Sequence, residues 1–149
     1  MSTLADPKVR AACRERIGRL DPNAGAKWGR MTARQMVCHL NDSFRVGLGE
    51  KYASPATSLL QRTFIKWVAL RTRVRWPPNV PTRPEIEQGR GGTPPGDWPT
   101  DCAELLRLID AFAASQTFGV HPAFGKMSPR DWLTWGYRHV DHHLRQFGV

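Results

Sequence analysis

The sequence lacks paired cysteines and long apolar runs. Its three cysteines are odd in number and form no CxxC pair, which argues against a disulfide framework and for a reducing compartment. The longest apolar stretch, around residues 64–70, is interrupted by Lys66, whereas a bilayer span needs about 20 apolar residues. The first twenty residues carry charges throughout and contain no apolar core of a secretion signal. We therefore expect a cytoplasmic protein with no membrane partner.

Acidic residues are also scarce. Thirteen aspartates and glutamates stand against 22 lysines and arginines, which gives a formal net charge of +9. Such a surplus favours anionic partners, but the basic residues are scattered through every segment, as on a solvated surface. Nucleic-acid binding is therefore the weakest of the functions that the sequence suggests. The feature in its favour is that basic residues accompany Trp67 and Trp76 in the third predicted helix and in the segment that follows it.

The chain has no sustained two-residue alternation of apolar and polar residues, so strands are not expected. Apolar residues instead recur at three- and four-residue steps, which predicts helices over residues 6–20, 32–48, 57–74, 101–117 and 128–147. Residues 76–99 are too rich in proline and glycine for a helix interior or a central strand. We expect an all-α single domain, residues 1–149, forming a four-helix bundle with a long crossover loop and one additional helix.

Three of these helices begin with recognisable caps. Thr32 precedes Gln35, and Asp101 precedes Glu104, with the spacing of a capping box, while Ser128 stands as an N-cap before Pro129. The third helix has an apolar arc too wide for a lone surface stripe, so it is either central or at an interface. We take the second possibility as the indication of a possible homodimer.

The histidines fall on helix faces that point inward. In the last helix, His139 and His143 share a face with Trp132 and Trp135, and in the second helix His39 lies on the apolar side. Buried imidazoles avoid charge, yet each neutral ring still has two nitrogens that need partners. One metal ion would satisfy all three rings and keep a coordination position open, as in catalytic zinc sites.

Other interpretations of these histidines remain open. A single inward histidine is usually a satisfied core residue, and HxxxH spacing occurs often by chance. Gln35, Ser43 and Gln146 are candidates to orient the histidine rings by hydrogen bonds to the nitrogens that do not face the ion. A closed, purely structural site would need a fourth protein ligand; the candidates are His142, Asp42 and Cys38. His121, in the loop before the last helix, could line the pocket.

Two blocks of sequence resemble a known family. The strings MTARQMVCHLNDSF and HPAFGKMSPRDWLTWGYRHVDHHLRQFGV are similar to the DinB-like, or YfiT-like, superfamily, in its branch of uncharacterised small bacterial proteins. The resemblance implies a four-helix bundle with a long crossover, often dimeric. It also implies a divalent metal bound by one histidine of the second helix, here His39, and by an HxxxH pair in the last, here His139 and His143.

The resemblance says less about the reaction. The superfamily includes S-transferases and isomerases that use low-molecular-weight thiols, and others described as metal-dependent hydrolases. We therefore expect a metal-dependent enzyme, with zinc or nickel as the favoured ion, acting on a small-molecule substrate and using a thiol cofactor or water. The alternative is a non-catalytic bundle that binds a metal or a small molecule.

Overall fold

The computed structural model describes residues 1–149 and contains five α-helices and no strand. The helices are α1 Pro7–Gly18, α2 Ala33–Leu48, α3 Lys66–Arg71, α4 Trp98–Ala114 and α5 Pro129–Gln146. A π-helical turn, Gln61–Ile65, leads into α3, and a 3-10 turn, Pro84–Ile86, interrupts the long segment before α4. The expected all-α class is confirmed. None of the helices combines the length and apolarity needed to cross a bilayer.

Two of the predicted helix starts are confirmed. The side chain of Thr32 accepts a hydrogen bond from the backbone N–H of Gln35, and the Gln35 side chain accepts one from the backbone of Thr32. At the start of α5 the hydroxyl of Ser128 accepts the backbone N–H of Asp131, with Pro129 in the first turn. These bonds satisfy amides that would otherwise have no partner at the helix ends.

The predicted start of α4 is wrong. Asp97, not Asp101, is the N-cap, and its carboxylate accepts the backbone N–H of Thr100 at 3.1 Å. The prediction placed Pro99 in the loop, but proline is tolerated in the first helical turn because its missing N–H has no partner there anyway. Asp101 consequently lies inside the first turn. The helix also ends three residues before the predicted Thr117, at Ala114.

The third predicted helix is shorter than expected and lies at the surface. The helical stretch covers residues 59–71 with the π-helical turn inside it, and within α3 itself only Ala69 and Leu70 are buried. Large apolar side chains of the predicted arc are exposed: Leu59, Leu60, Phe64, Ile65 and Trp67. Of the two positions that the sequence allowed, central or at an interface, the central one is wrong.

The core is built where α2, α4 and α5 meet. Phe44 of α2 packs edge-on against Phe112 of α4, with ring centroids 4.8 Å apart, and Phe112 contacts Trp132 and Trp135 of α5. Edge-to-face pairs of this kind add to the stabilisation from burial. The aromatic cluster fills the space beside the first half of α5 and thereby fixes the direction in which the second half presents its histidines.

Candidate metal centre

The three predicted histidines come together between α2 and α5. Nε2 of His139 lies 3.3 Å from Nε2 of His39 and 3.1 Å from Nε2 of His143. The ligand atoms of the three residues all lie within 4.8 Å of one another. His39 and His143 are buried and His139 is half-buried. One turn of α5 separates the two histidines of the HxxxH pair, so both rings reach the same point.

The neighbours of two of these rings determine where their protons lie. Nδ1 of His39 is 3.2 Å from the carbonyl oxygen of Ile86, and Nδ1 of His143 is 2.8 Å from Oε1 of Gln146. Gln146 is oriented in turn, because its side-chain amide donates to the carbonyl of Trp28 at 2.6 Å. Both acceptors require a proton on Nδ1, so Nε2 of each ring presents a lone pair toward His139.

His139 cannot satisfy both of these lone pairs by itself. A neutral imidazole carries one N–H, so Nε2 of His139 can donate to one neighbour at most in a linear bond, and Nδ1 of His139 has no hydrogen-bond partner. If the proton is on Nδ1 instead, three lone pairs face one another. Either arrangement leaves polar atoms without partners in a largely buried place, which costs free energy.

Protonation does not relieve the conflict. Burial lowers the pKa of His39 below its usual value, and burial together with the neighbouring histidines lowers the pKa values of His139 and His143 well below theirs. The cluster is therefore neutral near pH 7, the state in which imidazole binds metals.

Two of the three nitrogen–nitrogen distances in the cluster match those of a metal site. Two nitrogens at about 2.0 to 2.1 Å from one ion, at tetrahedral angles, are about 3.3 Å apart, close to the two spacings observed around His139. The three histidines can therefore hold a divalent metal. No carboxylate belongs to the group, so the protein would leave the full charge of the ion in place.

Asp42, a candidate fourth ligand, forms hydrogen bonds with other residues. Its fully buried carboxylate accepts the ammonium of Lys51 at 2.7 Å and both the backbone N–H and the hydroxyl of Thr93 at 2.7 Å. These bonds attach the segment after the 3-10 turn to α2. Asp42 therefore acts on the centre indirectly, by holding in place the stretch of chain that includes Ile86.

The other two candidates also stand outside the group. The Cys38 thiol lies 3.5 Å from a carboxylate oxygen of Asp101, and burial and that carboxylate raise its pKa to about 12, so it remains a thiol. His142 is buried beside the rings of Trp28 and Trp76, and its Nδ1 has no hydrogen-bond partner. The group that could hold a metal ion thus contains three residues, His39, His139 and His143.

Among the expected supporting residues, only Gln146 contacts the side chain of one of the three clustered histidines. Gln35 is used in the cap of α2, and Ser43 donates to the backbone carbonyl of His39. Sequence reasoning missed the Ile86 carbonyl, because a backbone acceptor has no residue signature and comes from the long proline-rich segment. It also missed Trp76, whose ring centroid is 6.1 Å from that of His139.

His121 does not belong to the histidine cluster but is connected to it by contacts between aromatic rings. Its ring stacks on Phe124 and contacts Trp135, which itself packs against His139. Nδ1 of His121 accepts the backbone N–H groups of Ala123 and Phe124, each at 3.1 Å, so its proton is on Nε2. Its role in the structure is to close the loop before α5.

Comparison with known proteins identifies the family. No curated protein matches the chain, and no solved structure does. A family model described as "Protein of unknown function (DUF1569)" matches residues 3–148. The match covers α1 to α5 and includes all three clustered histidines, and the chain therefore belongs to the DUF1569 family.

Proposed function

We propose that the chain is a metal-dependent enzyme that holds one divalent ion through His39, His139 and His143. The observation that carries this proposal is the convergence of three neutral Nε2 atoms in a polar cluster that the chain alone leaves unsatisfied. Three protein ligands leave a coordination position for a substrate, which is the arrangement of catalytic sites; structural zinc sites have four protein ligands.

The reaction that we propose is thiol-dependent S-transfer, with a related hydrolysis as the variant. A bound divalent ion favours the deprotonated form of a thiol or of water, which is the activation that both reactions need. The chain's own part is to fix the imidazoles through Ile86 and Gln146 and to limit access of solvent by the rings of Trp76 and Trp135. The substrate would be a small molecule.

Zinc or nickel is the ion we propose. A site made of imidazole nitrogens alone suits both metals, whereas magnesium and calcium prefer oxygen ligands. Metal analysis of protein produced without a polyhistidine tag decides between them.

The arrangement of the helices supports a DinB-like bundle. We infer that residues 1–149 are one cytoplasmic domain, a four-helix bundle of α1, α2, α4 and α5 with α3 as the additional helix. The exposed apolar side chains around α3, among them Leu60, Phe64 and Trp67, support a homodimer through that face.

The second candidate function is a bundle in which the ion only stabilises the fold. The burial of His39 and His143 favours it, because a structural site needs no access. Nucleic-acid binding ranks third. Exposed Trp67 and the basic residues near it would support it, and failure of random DNA or RNA to retain the protein at low salt would exclude it.

Conjugation of small thiols to 1-chloro-2,4-dinitrobenzene tests the proposed enzyme. In this reaction a carbon–sulfur bond forms, chloride leaves and the thiol proton passes to buffer. We expect a rate that falls on chelation, returns with zinc or nickel and is lost in His39→Ala, while Arg30→Ala on an exposed loop retains it. A metal-loaded protein inactive toward both thiols and simple esters would favour the structural alternative.

A further inference from the structure

A second feature of the molecule is an open cavity of about 620 Å³ between the start of α1, the middle of α5 and the extended segment that follows α3. It does not include the clustered histidines. Its walls carry four arginines and two aromatic rings: Arg73, Arg75, Arg138, Arg145, Trp76 and Tyr137. Only two carboxylates, Asp6 and Asp141, line the same space.

Two of the four arginines hold the walls of the cavity in place. Arg138 donates to the carbonyl oxygens of Thr72 and Val74 and so attaches the extended segment to α5. Arg145 donates to Asp141 at 2.9 Å, and Asp141 also accepts Arg16 at 2.8 Å. The negative charge of Asp141 is therefore already matched by two guanidinium groups.

The remaining two arginines have no partner in the chain. Arg73 and Arg75 form no ion pair and no side-chain hydrogen bond, and both are exposed. They stand two residues apart in the segment that follows α3, and both line the cavity. Their guanidinium groups have planar sets of N–H donors that match carboxylate and phosphate oxygens.

The charges around the cavity are unbalanced. Like charges that share a concave wall repel one another, and a concave wall also concentrates the field that attracts an oppositely charged ligand. An anion bound between the arginines would relieve this repulsion.

We propose that this cavity binds a small molecule through an oxyanion group, a carboxylate or a phosphate, held by Arg73 and Arg75. Trp76 forms an aromatic wall beside it, and the guanidinium of Arg138 lies over the indole, 5.6 Å from the ring centroid. The ring of Trp76 also packs against those of His139 and His142. The occupant would therefore contact the residue that covers the histidine cluster.

The test is a titration of isotope-labelled protein with inorganic phosphate and, separately, with succinate, followed by NMR at low ionic strength. We expect saturable shifts of the Trp76 indole signal and of backbone signals of residues 72–76. The double variant Arg73→Ala, Arg75→Ala should bind about tenfold more weakly or worse, because the loss of even one charge-assisted hydrogen bond costs about 1.5 kcal/mol, which is close to a factor of ten. The tighter of the two ligands indicates the chemistry preferred.

Two controls separate this site from general charge effects and from the metal centre. Arg19→Ala with Arg30→Ala removes the same charge from exposed positions outside the cavity and should leave the affinity within about twofold. His39→Ala removes a proposed metal ligand that does not line the cavity and should also leave it unchanged.

Three outcomes would overturn the inference, and a fourth would bear on the proposed enzyme alone. Equal weakening in both double variants would mean that the anions respond to net charge alone. Loss of binding in His39→Ala would place the anion at the histidine cluster instead. Shifts that appear only with random RNA or DNA would assign the arginines to a nucleic acid. Intact anion binding by a protein that takes up no metal would leave this inference standing and remove the proposed enzyme.

Discussion

At the scale of single residues, the orientation of the histidines depends on acceptors behind them. The Gln146 side chain bridges two groups: its amide nitrogen donates to Trp28, and its oxygen accepts the proton of His143. Partners of this kind fix the tautomer and the ring direction of a ligand before any ion arrives. The geometry of the centre is therefore set by residues that would never touch the ion.

Replacement of Gln146 tests this role. Gln146→Met keeps the approximate volume but removes the acceptor, so the ring of His143 should rotate or change tautomer. We expect metal affinity to fall about 10- to 100-fold, measured by competition with a chromophoric chelator. Gln116→Met, on an exposed loop, is the matched control and should leave the affinity unchanged. Equal affinities in the two variants would show that Gln146 does not orient the ligand.

His121 provides a prediction about pH. Burial, with a smaller effect of Lys66, lowers its pKa to about 3, whereas an unfolded chain has the ordinary value of 6.5. Between pH 6.5 and pH 3 the unfolded state therefore binds the extra proton, and the free energy of unfolding falls as the pH falls through that range. The slope is at most about 1.4 kcal/mol per pH unit.

The measurement compares wild type with His121→Asn, whose side-chain oxygen can accept the same backbone N–H groups. In chelator, wild type should lose more stability than the variant between about pH 7 and about pH 5, as judged by urea midpoints. The other histidines are common to both proteins and cancel in the comparison. Identical losses would mean that His121 titrates normally in the folded state.

The sequence predicted the site residues that lie on helices, but it did not predict the contacts that loops make with them. Helical periodicity placed His39, His139 and His143 on inward faces, because each shares a face with apolar neighbours, and the family resemblance joined them in one site. The carbonyl of Ile86 could not, since its position depends on how a proline-rich segment crosses the bundle. Asp42 shows the same limit: its sequence position suggested a ligand, and its partner Thr93 lies 51 residues away.

At the scale of elements, close helix packing depends on two glycines. A Cβ at Gly47 of α2 would lie 2.6 Å from a ring carbon of Phe112, and one at Gly136 of α5 would lie 2.8 Å from Leu4. Glycine costs helix stability, so its presence within the last turn of α2 indicates that space is the stronger constraint there. The helices approach as closely as they do because these positions carry no side chain.

A pair of alanine substitutions tests the role of these glycines. Gly47→Ala should destabilise the protein, because overpacking costs about 1 to 3 kcal/mol and exceeds a gain in helix propensity of about 1 kcal/mol. Gly18→Ala, at the end of α1 with no atom within 4 Å of the added carbon, should be neutral or stabilising. Thermal unfolding of both variants measures the difference, and a stabilised Gly47→Ala would contradict the packing argument.

The capping patterns predicted some helix ends and not others. Thr32 and Ser128 each occupy the only strong N-cap position near their helix, so the sequence located them correctly. Near α4 two aspartates compete, and the proline between them favoured the wrong one. The third helix was overestimated because apolar periodicity continues through a π-helical turn that ordinary helical counting does not distinguish.

At the scale of the whole molecule, the segment between α3 and α4 determines what the bundle can do. It passes over the histidines at Ile86, is attached to α2 through Asp42 and Thr93, and places Trp76 against His139. Composition identified this stretch as neither helix interior nor strand but gave no information about where it crosses. The charge of +9 was likewise visible in the sequence, whereas the arginine-lined cavity required the structure.

The central claim is that His39, His139 and His143 hold one metal ion, and the most direct measurement is the metal content of tag-free protein by mass spectrometry. We predict about one equivalent of zinc or nickel in wild type, and its loss in His39→Ala and in His139→Ala. His142→Ala, which alters a neighbouring histidine outside the group, should retain the ion. Equal and negligible metal in wild type and all three variants, even after incubation with zinc and nickel, would contradict the account.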